Sequence, residues 1–165
     1  MNNFPNIFLV TLAAIVLTAC DFTVSLSEKP EMRIDENATG LWQRTKPDGD
    51  TESLLILPLD EYEYFISWPE GAKTELYARA HLFELTGMTL VQLQWFGNSD
   101  GDIPDDDRNY QYADYTIKAT TLTIRLLNAD IIGRDFHSAD ELAQAIVAER
   151  DNPELYRDAL TFRKM

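Results

Sequence analysis

The most constraining feature of this 165-residue chain is a series of segments in which apolar side chains recur at every second position. Such alternation places the apolar side chains on one face of a β-strand, and the aromatic and β-branched residues in these segments favour a pleated sheet. Seven segments of this kind follow one another: GLWQRTK, SLLILPL, YEYFISW, TELYARAHLFEL, TLVQLQWF, YQYADYTIK and TLTIRLL. The sequence therefore predicts a mainly β domain that begins near Ala38.

Short turns join these segments. KPDGD at Lys46 to Asp50 and PEGA at Pro69 to Ala72 are rich in turn-forming residues, and TGM at Thr86 to Met88 joins two strands through a single glycine. Connections this short favour antiparallel neighbours, because a parallel crossover needs a dozen or more residues. An antiparallel up-and-down meander of this length tends to close, since closure removes exposed edges. We therefore expect a small β-barrel.

The C-terminal part changes to a helical period. Ser138 followed by Glu141 is a capping box, and the apolar residues after it recur at helical spacing along a narrow face, which predicts a helix over 139–150. A narrow face suits a helix that lies outside the barrel or plugs one end. ALTFRK alternates again and predicts a short last strand. One domain, 38–165, accounts for the strands and the helix.

The N-terminus carries a different signal. Ile7 to Leu17 is an eleven-residue apolar run, which is too short to cross a bilayer of about 30 Å as a helix and has the length of the core of a signal peptide. The small residues Thr18 and Ala19 follow, and then comes Cys20, the only cysteine. The four residues Leu17-Thr18-Ala19-Cys20 resemble the lipobox of bacterial lipoproteins at every position.

This resemblance implies that residues 1–19 are a signal peptide, that cleavage falls between Ala19 and Cys20, and that the Cys20 sulfur carries a diacylglycerol. It implies a protein held in the cell envelope by acyl chains, facing the periplasm or the exterior. Asp21 resembles the signal that keeps lipoproteins of enteric bacteria on the inner membrane, or it is an ordinary solvated residue, so which membrane carries the protein stays open. The alternative interpretation is an uncleaved anchor or a core helix with an incidental cysteine.

Two further properties concern the chain after cleavage. With Cys20 consumed, no internal disulfide can form. The polar, aperiodic stretch Phe22 to Asn37 predicts that 20–37 is a lipidated N-terminus followed by a linker, with a span of roughly 20 Å. The 28 acidic and 14 basic residues give a net charge of −14, which repels phosphate backbones and excludes nucleic acid as a partner.

Three short features resemble the lipocalins. Gly40 to Trp42 fits the G-x-W pattern of their first strand, Ala113 to Tyr115 is similar to their T-D-Y segment, and a late helix precedes a last strand that carries Arg163. The resemblance implies a lipocalin-like barrel with a cup for an apolar ligand, or a closed barrel with a packed core.

Residues with catalytic or metal-binding chemistry are sparse. His81 and His137 are the only histidines, and no nucleophile elbow or phosphate-binding glycine loop occurs, so the sequence predicts no catalytic residue, no cofactor and no enzyme. In NSDGDIPDDDR, Asp100 and Asp102 have the alternate spacing of a calcium loop, but isoleucine occupies the position of its glycine. They are weak candidates for a cation, and the alternative is a solvated loop; no metal site is predicted.

These observations leave two functional hypotheses. The first is a lipid-anchored binding or interaction module for a small apolar ligand or another envelope protein. The second is a structural accessory subunit of an envelope complex. The three tryptophans and seven tyrosines either line a ligand pocket or fill the core.

Overall fold

In the computed structural model, which describes residues 21–73, 75–102 and 109–165, the chain forms a closed antiparallel barrel. Its strands are β1 (Gly40–Thr45), β2 (Thr51–Pro58), β3 (Glu63–Trp68), β4 (Leu76–Leu85), β5 (Met88–Asn98), β6 (Tyr110–Lys118), β7 (Thr121–Leu126) and β8 (Leu160–Lys164). Each strand pairs with its neighbours in sequence, and β8 closes the ring by pairing with both β7 and β1. The predicted meander, its closure and the short last strand are confirmed. Ala19 and Cys20 lie outside the described residues.

The barrel has a closed end, where β1 begins and β8 ends. A single 3₁₀ turn, Glu36–Ala38, precedes β1 there, and the Trp42 Nε1–H donates to the Ala38 carbonyl oxygen at 2.7 Å. Lys164 Nζ lies 5.0 Å from the Trp42 ring centroid and donates to the Asn37 carbonyl oxygen. Gly40 has φ +125, a backbone conformation that residues with a side chain rarely adopt, so this position favours glycine. The other end, where β1 ends and β2 begins, is called the far end below.

The inner face of the barrel is apolar, as the alternation predicts. The inward row of β4 is buried in the same cluster as Trp42, Leu122 and Phe162 from the opposite side of the ring. This packing is what the period-two pattern encodes, because a slip of one residue would move each of these side chains to the outer face.

A second apolar core lies outside the barrel. Helices α1 (Ala129–Ile132) and α2 (Ala139–Ala148) contribute Ile132, Leu142 and Ile146, which form one buried cluster with Phe83, Leu90 and Tyr112 of β4, β5 and β6. One half of the predicted capping box is present, since Ser138 Oγ accepts from the Glu141 N–H. The Glu141 carboxylate accepts from the N–H of His137, one residue before the N-cap, instead of from that of Ser138. The helix lies outside the barrel, one of the two expected positions, and ends two residues before the predicted boundary. The four-residue α1 is too short to leave a periodic pattern.

The structure differs from the predicted linker at residues 21–27, which we call the N-terminal strap. Phe22 is buried, and its main chain exchanges hydrogen bonds with that of Tyr110 at 3.0 and 3.1 Å. Farther along, Gln92 Oε1 accepts from the N–H groups of Leu26 and Ser27, and Gln92 Nε2 donates to the Ser27 carbonyl oxygen. The backbone N–H and C=O groups of the strap thus form hydrogen bonds with residues about 65 to 90 positions later in the chain. The strap therefore packs on the barrel instead of extending away from it.

Candidate functional site

The barrel contains a partly open cavity of about 90 Å³. Its walls are inward side chains of β2 to β8, among them Leu54, Ile66, Val91, Ile124 and Phe162. An engineered apolar cavity of about 150 Å³ stays dry and binds benzene. By that comparison, this cavity has space for an apolar group of about four carbon atoms.

The three tryptophans all point into the barrel, but their N–H groups differ. The Nε1–H of Trp42 is satisfied at the closed end. Trp68 and Trp95 both line the cavity, and the Nε1 of each is buried with no hydrogen-bond partner among the residues described. Trp95 is only 3% exposed. A buried donor without a partner costs about 1–3 kcal/mol, so these two indoles are available to a ligand that carries an acceptor.

An ion pair lies on the inner face at the far end. Arg44 is opposite Glu52 in the β1–β2 register, two residues beyond the Trp42–Leu54 pair, so both side chains lie on the inward face. Arg44 Nε donates to Glu52 Oε1. The guanidinium carbon lies 5.5 Å from the ring centroid of Phe162 and 6.0 Å from that of Trp68, and both rings line the cavity. Within the described parts of the chain, the terminal nitrogens of Arg44 make no hydrogen bond.

The sequence places Trp68 and Trp95 on inward faces but does not show which indoles lack a partner. It also gives a usable signal for Arg44, which follows Trp42 at the strand spacing and therefore belongs to the inward row. A charged residue among the apolar inward residues of a strand is therefore the sequence signal for the Arg44–Glu52 ion pair.

His81 lies on the outer face, as the alternation predicts, yet it is only 8% exposed because the N-terminal strap covers this part of β4. Burial lowers the pKa of His81 below its ordinary value, while the Glu63 carboxylate and the Ser27 backbone act in the opposite direction and Arg79 adds to the lowering. His81 Nε2 has no partner in the described structure. The folded protein therefore favours neutral His81.

We expect acidification to destabilise the protein through His81. Because the folded pKa is lowered, the unfolded chain binds the proton more tightly, so this contribution to stability is present above the unfolded pKa of about 6.5 and is lost as the pH falls below it. Between pH 8 and pH 6 the loss in the free energy of unfolding is at most about 0.8 kcal/mol, the limit for a histidine that stays neutral when folded. Urea unfolding of wild type and of His81→Gln at pH 8 and pH 6 measures this loss in the free energy of unfolding. His137→Gln, at an exposed position, is the matched control and should behave as wild type; an equal loss in His81→Gln would contradict the prediction.

The two aspartates considered as cation ligands belong to a turn. Asn98 Oδ1 accepts from the backbone N–H groups of Asp100 and Asp102 at 3.0 and 2.9 Å, and both aspartates are exposed. This capped turn explains their alternate spacing. In the described ranges, no three His, Cys, Asp or Glu residues are grouped so that they could hold a metal ion. The rest of the acidic loop, 103–108, lies outside those ranges.

An apolar cluster also covers part of the outer face; we call it the outer cluster. The ring of Phe65 stacks on that of Tyr77 at 5.7 Å, and Phe96 lies 6.4–6.5 Å from both. Leu57 is opposite Phe65 in the register. Leu57 and Phe96 are 42% and 43% exposed, so the cluster presents apolar surface to solvent.

No helix among the described residues is long and apolar enough to span a membrane. Comparisons of the chain with protein-family models, curated proteins and solved structures give no match.

Proposed function

We propose that this chain is a lipid-anchored binding module of the bacterial cell envelope, held at the membrane through Cys20, whose barrel binds a small apolar molecule in the cavity beside Trp68 and Trp95. The observation that carries the proposal is the pair of buried indole N–H groups without partners on the wall of an apolar cavity. Buried polar groups in folded proteins are nearly always paired, so these two donors call for an explanation, and a bound acceptor supplies one. The lipobox at Leu17 to Cys20 supports the anchor.

A test uses xenon, which enters dry apolar cavities, and the three indole N–H signals in ¹H–¹⁵N spectra. The protein is the full-length chain with Cys20→Ser, so that no attached acyl chain competes for the cavity. We expect xenon to shift the signals of Trp68 and Trp95 and to leave that of Trp42, which does not line the cavity, unchanged. Single Trp→Phe variants assign the signals, because each removes one.

The matched variant is Val91→Phe, which fills the cavity from its wall. It should keep the three indole signals and lose the response to xenon. If xenon leaves Trp68 and Trp95 unmoved in the parent protein, or if Val91→Phe responds as the parent does, the cavity is not a binding site.

The outer cluster supports a second candidate, a docking surface for another envelope protein. Exposed aromatic residues that touch one another are enriched in protein interfaces. This function needs no cavity, so it predicts that filling the barrel with Val91→Phe leaves partner binding intact. The xenon experiment therefore separates the two candidates.

A further inference from the structure

We infer that the cavity selects an uncharged acceptor group, such as the carbonyl oxygen of a ketone, ester or amide, attached to a short hydrocarbon. This inference rests on the proposed function and names the class of ligand for the same cavity. Three observations carry it: the kind of polar atom left without a partner, the charge balance at the far end, and the cavity volume.

Among the residues that line the cavity, the buried side-chain groups without a partner are the indole N–H groups of Trp68 and Trp95. An indole Nε1–H can only donate, so both require an acceptor. The guanidinium of Arg44, whose carbon lies 5.5 Å and 6.0 Å from the ring centroids of Phe162 and Trp68, is also a donor only. Gln111 lines the cavity as well, and its amide adapts to either role. A ligand that could only donate would leave both indoles unsatisfied.

The charge balance disfavours an anion. The positive charge of Arg44 is offset by Glu52, its partner on the inner face. A carboxylate that enters the barrel would lose its hydration without meeting an uncompensated positive charge, and burial of an ion on such terms is costly. The net charge of −14 adds a repulsive field. A neutral carbonyl accepts the same hydrogen bonds at a smaller cost of desolvation.

The volume of the cavity limits the size of the hydrocarbon part of the ligand. A cavity of about 90 Å³ holds only a few carbon atoms, so the hydrocarbon that it accepts is short.

Three probes with equal numbers of non-hydrogen atoms test the class: butanone, 2-methyl-1-butene and propanoate. Each is titrated into the full-length Cys20→Ser chain, with the indole signals as the readout. We expect butanone, but not the alkene, to move the Nε1–H protons of Trp68 and Trp95 downfield, which is the signature of a new hydrogen bond. We also expect butanone to bind more tightly than propanoate.

Variants isolate the hydrogen bonds. The ratio of butanone affinity to alkene affinity should fall about fivefold to tenfold in Trp68→Phe or Trp95→Phe, since each removes one donor. Trp42→Phe is the control, because its N–H is already paired inside the protein, and the ratio should not change there. Glu52→Gln should raise the affinity for propanoate and leave that for butanone within about twofold.

The outcomes separate the two claims. If the alkene shifts the cavity signals and the affinity ratio is unchanged in both Trp68→Phe and Trp95→Phe, the acceptor is not recognised and the inference fails while the binding barrel stands. Tighter binding of propanoate than of butanone to the parent protein overturns the choice of an uncharged group. If neither xenon nor any probe reaches Trp68 and Trp95, the proposed function itself fails.

Discussion

Replacing Cys20 by serine is expected to move the full-length protein from the membrane fraction to the soluble fraction. The proposed attachment is a thioether to diacylglycerol, which serine cannot form in place of the thiol. Each buried CH₂ contributes about 0.8 kcal/mol to membrane binding, so two or more chains hold a protein firmly and their loss releases it. Fractionation after a high-salt wash, with intact mass measured on each fraction, tests this.

Thr18→Ser is the matched control, since it keeps a small residue in the lipobox and the cysteine after it. This variant should stay in the membrane fraction and carry the acyl mass. A Cys20→Ser protein that remains membrane-bound, with a mass that differs from wild type only by the substitution, would contradict the anchor.

The second large effect concerns the residue after the anchor. Asp21 is fully buried, and its carboxylate lies 2.8 Å from Arg134 Nη1 and 3.1 Å from Arg157 Nη2. Replacing both arginines by methionine leaves a buried carboxylate without a countercharge, which should cost about 3–5 kcal/mol in the free energy of docking of the strap. Asp21→Asn should cost less, because the arginine side chains are 30% and 32% exposed and can turn to solvent.

Hydrogen exchange measures this effect at the strap itself. The Phe22 N–H, bonded to the Tyr110 carbonyl oxygen, should exchange more than about a hundredfold faster in the double arginine variant. Adding Asp21→Asn to that variant removes the unpaired charge and should recover most of the loss. The idea is wrong if the double arginine variant loses no more protection than Asp21→Asn alone.

The docked strap begins next to the proposed anchor. Asp21 follows Cys20 in the chain, and the two arginines that hold its carboxylate lie in the segments before and after α2. Acyl chains at the proposed anchor would therefore join the chain one residue before a buried, ion-paired side chain. The resemblance of Asp21 to a sorting signal stays a prediction, but its ion pairs give it a structural role.

Much of the fold could be predicted because its signals are local. The inward rows of β4 and β5 follow from alternation, and the start of α2 follows from Ser138 and Glu141. The single turn α1 could not be predicted because four residues are too few to show a helical period, and the strap could not because distant residues stabilise it. The strap backbone is satisfied by Gln92 and Tyr112, and no pattern within 21–27 encodes that pairing.

The candidate site also has features that the sequence predicts and features that it does not. The faces of Trp68 and Trp95, and the inward position of Arg44, are readable from spacing along each strand. That Trp42 has a partner while the other two indoles have none depends on the 3₁₀ turn and on which strands meet across the barrel.

The sequence alone thus determined the strands, their inward faces and the resemblance to a lipobox, since each depends on residues that are near one another in the chain. Only the tertiary structure decided the cavity, its unpaired donors and the docked strap, because these depend on distances between side chains that are far apart in sequence. The spacing of residues along a strand determines the face on which a side chain lies, but closure of the barrel determines which other side chains it contacts.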